Sequence, residues 1–76
     1  MGHEFAYYRR ALEIEVAENP EDVEARVFLA KTLLEQGELQ GAKEQLTVAL
    51  ELRPDHPDAR AVLEKIKLKE AQVPFE

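Results

Sequence analysis

Two prolines, Pro20 and Pro54, lie 34 residues apart and enclose the most regular part of the sequence. Between them, apolar residues recur at helical spacing as far as Gly37, and a second apolar pattern runs from Leu39 to Leu52. Glycine commonly ends a helix in the left-handed conformation, and proline cannot continue one, so this stretch predicts two helices joined by a tight turn. A period of 34 residues is one of the few that indicate a helical repeat architecture.

The residues between the two prolines resemble the tetratricopeptide repeat (TPR). That family has an aromatic residue, a leucine, a small residue and a second aromatic residue in one helix, then alanine, phenylalanine and a closing proline. The matching positions here are Arg26, Leu29, Ala30, Leu33, Ala42, Leu46 and Pro54, with Ala49 and Leu50 one turn beyond Leu46. Arg26 and Leu33 depart from the usual aromatic residues. The resemblance covers residues 20–58 best, and it implies an all-α fold of antiparallel helix-turn-helix repeats, a fragment of an α-solenoid.

The sequence predicts about four helices in a single domain over residues 1–76. We expect residues 3–18 to form a helix of a partial preceding repeat, 20–53 the complete repeat, 55–73 a capping or next-repeat helix, and 74–76 a tail. Asn19 and Asp55 are the predicted N-caps, because their side-chain oxygens can accept a hydrogen bond from a first-turn amide. The predicted core comprises Phe5, Tyr8, Leu12, Val16, Val23, Phe28, Leu29, Ala30, Leu33, Leu39, Ala42, Leu46, Ala49, Leu50, Ala59, Val62, Leu63, Ile66 and Val73.

The charge balance restricts the classes of partner. The chain has 16 Asp and Glu against 10 Lys and Arg, a net charge of −6. Nucleic acids and anionic membranes attract basic surfaces, so we expect neither as a partner. No run of residues is apolar enough for a membrane span or a signal segment, and there is no cysteine. These features favour a soluble, cytoplasmic protein.

The sequence offers little for catalysis. It contains no serine and no cysteine, so the common nucleophiles are missing, and it has no glycine-rich phosphate loop. We therefore predict that the protein is not an enzyme and needs no cofactor. The segment Asp55-His56-Pro57-Asp58 could supply metal ligands, but helix capping already accounts for its aspartates, and we predict no metal site.

The TPR resemblance implies where a partner would bind. The groove of such proteins is lined by the first helix of each repeat. The matching residues here are Glu24, Val27, Lys31, Leu34, Glu35, Asp58, Ala61, Lys65 and Leu68. These could simply be the exposed face of two amphipathic helices. The apolar residues among the charges favour a groove for a peptide or helix of another protein.

A second mechanism is self-association. Tyr7, Ala11 and Ile14 form an apolar stripe on the first helix, away from its predicted core-facing side. Repeat arrays usually need about three units for a self-sufficient core, and this sequence holds fewer than two. The stripe could therefore pack against a second copy, in a homodimer or an oligomer with exchanged helices.

Overall fold

A computed structural model describes the backbone of residues 3–72 and the side chains of residues 7–72. It contains four helices: α1 (His3–Glu18), α2 (Val23–Glu35), α3 (Leu39–Leu52) and α4 (Pro57–Ala71). The predicted all-α architecture is confirmed, and no strand occurs within residues 3–72. Predictions for the side chain of Phe5, for Val73 and for the 74–76 tail fall outside the described residues.

The start of α2 differs from the prediction. Asp22, and not Asn19, is the N-cap: its Oδ1 accepts a hydrogen bond from the Ala25 amide at 3.2 Å. Pro20 and Glu21 form a turn first, in which the Asp22 amide donates to the Asn19 carbonyl at 2.9 Å. The Asn19 side chain instead donates to Glu15 at 3.1 Å. The turn delays the helix, so that α2 begins at Val23 rather than at Pro20.

Gly37 ends α2 as predicted. Its φ is 81°, in the left-handed region, and the amide of Glu38 donates back to the Leu33 carbonyl at 2.9 Å. This closure satisfies a carbonyl of the last helical turn and reverses the chain into α3. Residue 37 needs this φ, which glycine adopts without steric cost.

The four helices pack around α2, which contacts each of the other three. α3 also packs against α4, whereas α1, among the described residues, packs against α2 alone. The molecule is thin, with extents of 42 × 35 × 15 Å. The buried core consists of Val23, Val27, Leu29, Ala30, Leu33, Ala42, Leu46, Ala49, Ala59, Val62 and Ile66.

Two predicted core residues are not buried. Tyr8 is 49% exposed and Phe28 is 46% exposed. Tyr8 lies on α1, which packs against α2 alone among the described helices. Only one side of α1 can therefore be buried. The predicted residues Leu12, Val16, Leu39, Leu50 and Leu63 are partly buried against the core. Helical spacing therefore identified most of the core, but on α2 it placed Phe28 on a buried side and Val27 on an exposed side, the reverse of the structure.

Candidate partner-binding face

The structure brings the start of α4 against α2 on one surface. Lys31 on α2 and Asp58 on α4 form an ion pair, with Nζ 3.8 Å from Oδ2. Glu24 on α2 lies 2.9 Å from Nε2 of His56, the residue that precedes α4. Residues predicted for one groove from two separate repeats therefore lie side by side. We call this surface the α2–α4 face; it comprises Glu24, Lys31, Leu34, Glu35, Asp58, Ala61, Lys65 and Leu68.

The two helices present the same types of residue in the same order. Asp58, Lys65 and Leu68 on α4 each stand 34 residues after Glu24, Lys31 and Leu34 on α2. On both helices the acidic residue comes first, the lysine seven residues later and the leucine ten residues later. At a rise of 1.5 Å per residue, the acid and the leucine are separated by about 15 Å along the helix. Each helix thus carries the same order of acidic, basic and apolar residues along its length.

Exposure decides which of these residues can meet a partner. Leu68 is 60% exposed, Ala61 is exposed, and Leu34 is half-buried against the core. Val27 is only 2% exposed, so the prediction that it lines the groove is wrong. It is buried because α2 is surrounded by three helices, whereas its equivalent Ala61 lies on α4 at the edge of the molecule.

The two lysines of the face differ in their surroundings. Lys31 is held by Asp58, and its Nζ also lies 5.3 Å from the centre of the Phe28 ring, a cation–π contact. Lys65 is exposed and has no carboxylate within ion-pairing distance among the described side chains. Lys65 is therefore the cation of this face that is free to pair with an incoming acidic group.

The N-cap of α4 differs from the prediction, because it is His56 and not Asp55. His56 is only 4% exposed, and its Nδ1 accepts from the Ala59 amide at 3.1 Å. Asp55, the predicted cap, lies in the preceding turn. The 34-residue period carried the signal, because His56 stands at the position equivalent to Asp22, the N-cap of α2.

The contacts of His56 define its tautomer. Because Nδ1 accepts a hydrogen bond from a backbone amide, the proton of the neutral ring must be on Nε2, which donates to the Glu24 carboxylate. Both ring nitrogens are therefore occupied by protein groups, and neither has a lone pair for a metal ion. His56 joins the start of α4 to the first turn of α2 and so sets how the two halves of the α2–α4 face meet.

Two charged clusters link α1 to the segments just before and just after α2. Arg9 donates to Glu13, Glu38 and Gln36, and the hydrogen bonds to Glu38 and then Glu13 raise the pKa of its guanidinium. At the α1–α2 turn, a hydrogen bond shared with Asp22 raises the pKa of Glu15, and the hydrogen bond from Asn19 opposes this. Neither cluster includes a residue of the α2–α4 face.

The predicted self-association stripe is on the surface. Tyr7 is 83% exposed, Ile14 is 48% exposed, and Ala11 is exposed as well. None of the four helices in the described part of the chain is long and apolar enough to cross a membrane.

The antiparallel helices, the 34-residue period and the paired faces of α2 and α4 define a helix-turn-helix repeat protein. The family model of the tetratricopeptide repeat matches residues 5–66, which reach from α1 into α4. The chain belongs to the tetratricopeptide repeat family. Domains of this family typically bind other proteins and are generally not catalytic. No curated protein and no solved structure gives a significant match to the chain.

Proposed function

We propose that the protein is a non-catalytic interaction module whose α2–α4 face binds an extended peptide segment of another protein. The observation that supports this most directly is the repetition of acid, lysine and leucine at equivalent positions of α2 and α4. A purely solvated face would need only polar residues there, whereas this face has a leucine at the same place in both repeats, exposed in Leu68 and half-buried in Leu34.

The chemistry of the face indicates what the peptide would carry. Leu34, Ala61 and Leu68 offer an apolar strip for one or two aliphatic or aromatic side chains. Lys65, beside that strip on α4, would pair with a carboxylate. The internal pair of Lys31 with Asp58 is the same interaction made within the chain. The preferred ligand is therefore a peptide in which an acidic residue lies near an apolar one.

The proposal can be tested by selecting binding peptides from a library. A peptide-display library panned against the purified protein should enrich sequences that combine Asp or Glu with Leu, Ile, Val or Phe. For an enriched peptide, Lys65→Glu should weaken binding about tenfold or more, since like charges then face each other. Leu68→Asp should weaken it to a similar degree, because an apolar contact is replaced by a charge.

The matched control is Lys67→Glu. Lys67 is an exposed lysine on the same helix, but it lies on the side that faces α3 and is not part of the α2–α4 face. Its charge reversal changes the net charge by the same amount and should leave peptide affinity within about twofold, since screening weakens distant charges. Equal losses for the Lys65 and Lys67 variants would mean that only the overall charge matters and would contradict the proposal.

A further inference from the structure

Glu24 and Phe28 on α2 have counterparts on α4. Asp58 and Val62 stand 34 residues after them, and in each pair the second residue lies about one helical turn after the first. On α4 this pair is covered by α2, since Asp58 pairs with Lys31 and Val62 is only 5% exposed. On α2 the pair is open, since the Glu24 side chain is 59% exposed and Phe28 is 46% exposed. Among the described helices, none covers α2 here as α2 covers α4.

Phe28 borders α1 and faces away from α3. Arg26 donates to Gln45 of α3 at 3.0 Å, and Phe28 lies about 160° from Arg26 around the axis of α2. Gln36, which follows Phe28 by about two turns, accepts a hydrogen bond from Arg9 of α1 at 2.8 Å. The open side of Phe28 therefore lies next to α1.

Tyr8 and Glu15 form the neighbouring part of α1. Arg9 donates to Glu38, the residue before α3, at 2.8 Å, so the Arg9 side of α1 faces α3. Tyr8 and Glu15 lie about 100° and 120° from Arg9 around the helix, and both are turned away from α3. Tyr8 is 49% exposed. We call the surface made by Tyr8, Glu15, Glu24 and Phe28 the α1–α2 edge.

Another helix of the same repeat type does not suit the α1–α2 edge. Tyr8 and Glu15 stand 34 residues before Ala42 and Ala49, which are fully buried in the complete repeat. Alanine at those places lets two helices approach closely, whereas tyrosine and glutamate hold a packed helix away from α1. The edge therefore fits a helix whose composition differs from that of the repeat.

The surroundings of the edge are mainly acidic. Lys31 lies beside Phe28, with its Nζ 5.3 Å from the ring centre, but it is already paired with Asp58. The end of the edge next to the α1–α2 turn is a cleft lined by Glu15, Glu18, Asn19, Pro20, Glu21 and Asp22. Glu18 and Glu21 of this cleft are exposed. Since opposite charges across an interface favour association, the edge complements a basic partner.

We propose that the α1–α2 edge binds a basic amphipathic helix of another protein, placed against α2 as α2 is placed against α4. A lysine or arginine of that helix pairs with Glu24, as Lys31 pairs with Asp58. An apolar side chain of the same helix covers Phe28, as α2 covers Val62. Further basic residues of the helix lie at the acidic cleft. Aromatic residues are enriched in the cores of protein interfaces, which suits Phe28 as the apolar anchor.

Glu24 can make this pair although it also contacts His56. Its Oε2 lies 2.9 Å from Nε2 of His56, and an ionised carboxylate has lone pairs on both oxygens for further donors. Glu24 also belongs to the α2–α4 face, whereas Phe28 and Glu18 do not. Variants of Phe28 and Glu18 therefore test the edge without changing the other face.

The probe is a synthetic helical peptide that copies the side of α2 facing α4. It has a valine and a lysine four residues apart, as Val27 and Lys31 are, with further lysines beside them and alanine elsewhere. The counterpart peptide has glutamate in place of each lysine. Fluorescence anisotropy of the labelled peptides should show that the basic helix binds and that the acidic counterpart binds at least about tenfold more weakly.

Truncation of the aromatic ring tests the apolar contact. Phe28→Ala should weaken binding of the basic helix about tenfold, because the anchor of the interface is removed. Leu52→Ala is the matched control, since Leu52 is a large apolar residue of α3 that is 41% exposed. This variant should leave the affinity within about twofold, as expected away from the interface.

Charge reversal on α1 tests the acidic cleft and does not alter α2. Glu18→Lys should weaken binding of the basic helix about threefold or more, because like charges then face each other. Glu44→Lys changes the net charge by the same amount at an exposed residue of α3 and should have an effect below about twofold. Equal losses for the two variants would mean that only the overall charge matters and would contradict the inference.

Three further results would overturn the inference. The first is that the basic helix does not bind, or binds no more tightly than its acidic counterpart. The second is an equal loss of affinity for Phe28→Ala and Leu52→Ala. The third is a dimer of the protein, detected by light scattering, that Phe28→Ala dissociates, because the edge would then belong to a second copy.

One variant separates this inference from the proposed function. Lys65→Glu should weaken binding of the extended peptide to the α2–α4 face, but it should leave binding of the basic helix within about twofold. Phe28→Ala and Glu18→Lys act on the helix. The inference and the proposed function can therefore fail separately.

Discussion

Arg9 and Lys43 make the same contact in two successive repeats. Arg9 Nη1 lies 2.8 Å from Oε1 of Gln36, and Lys43 Nζ lies 2.8 Å from Oε2 of Glu70. Lys43 stands 34 residues after Arg9, and Glu70 stands 34 residues after Gln36. In each case a basic side chain on one helix holds the C-terminal end of the next. The period therefore governs polar contacts between repeats as well as the apolar core.

Leu46 should be the most sensitive large side chain of the core. It is fully buried on α3 at the position where the family has phenylalanine. Leu46→Ala removes apolar contacts and leaves a cavity, so the free energy of unfolding should fall by about 2–5 kcal/mol. For so small a domain this could abolish folding altogether. Urea denaturation followed by circular dichroism measures the loss.

Leu68→Ala is the control for that experiment. Leu68 is 60% exposed, so truncating it should change the free energy of unfolding by no more than about 0.5 kcal/mol. Losses of the same size at the two positions would mean that the burial described for Leu46 is wrong.

Much of the fold could be predicted from the sequence because its main signals are local. Apolar spacing and Gly37 identified the helices and the central turn, and the closing proline identified the family. Val27 shows the limit: helical spacing places it on one side of α2, but α2 is buried on that side only because other helices pack there. Burial depends on neighbours that are distant in sequence.

The residues of the α2–α4 face were proposed from the family resemblance, and their role in binding stays a prediction. The family resemblance selected Lys31 and Asp58, which the structure places in contact. The contact between Glu24 and His56 was not predicted. The 34-residue period nevertheless makes His56 the equivalent of the capping residue Asp22. Caps depend on which residue ends the preceding turn, and that cannot be read from composition alone.

The neutral imidazole of His56 should be the tautomer that carries its proton on Nε2. The ¹⁵N chemical shifts of the imidazole ring distinguish this tautomer from the one protonated on Nδ1. Because Nδ1 accepts from Ala59 and Nε2 faces Glu24, we expect the Nε2–H tautomer in the folded protein. Signals of the other tautomer would contradict the capping contact.

Two substitutions separate the two roles of His56. His56→Ala removes both the cap and the contact with Glu24, and it should lower the free energy of unfolding by about 1–2 kcal/mol. His56→Asp restores a capping oxygen of the kind that Asp22 supplies to α2, but it places a carboxylate near Glu24. We expect this variant to lie between His56→Ala and the parent protein in thermal unfolding.

Glu15 should make stability depend on pH. A hydrogen bond shared with Asp22 raises its pKa above the ordinary value of 4.5, so folding favours the protonated form. The stabilisation that Glu15 contributes is therefore fully present below pH 4.5. It is lost as the pH rises through the pKa of Glu15 in the folded state. Glu15→Gln removes this titration and should be more stable than the parent at neutral pH.

The stability difference between Glu15→Gln and the parent should shrink as the pH falls towards 4.5, the ordinary pKa of a glutamate. Urea denaturation at several pH values measures it. Glu44→Gln is the control, because it removes the same charge from an exposed glutamate on α3, a helix that does not pack against α1 in the described part of the chain. A difference that stays constant with pH would show that Glu15 and Asp22 do not share a proton.

Gly41 is a position where the protein can be stabilised. A Cβ atom at Gly41 would lie 3.4 Å from Cδ1 of Leu33, an ordinary contact, so alanine fits the space between α2 and α3. Gly41→Ala should raise the free energy of unfolding by up to about 1 kcal/mol, because alanine restricts the unfolded chain and favours the helix.

Gly37→Ala is the matched comparison. Although Gly37 has no neighbouring atom within 4 Å, its φ of 81° is unfavourable for alanine and should cost about 1 kcal/mol. The two glycines lie four residues apart, so opposite signs in urea denaturation would show that backbone conformation, rather than available space, determines which of them can be replaced.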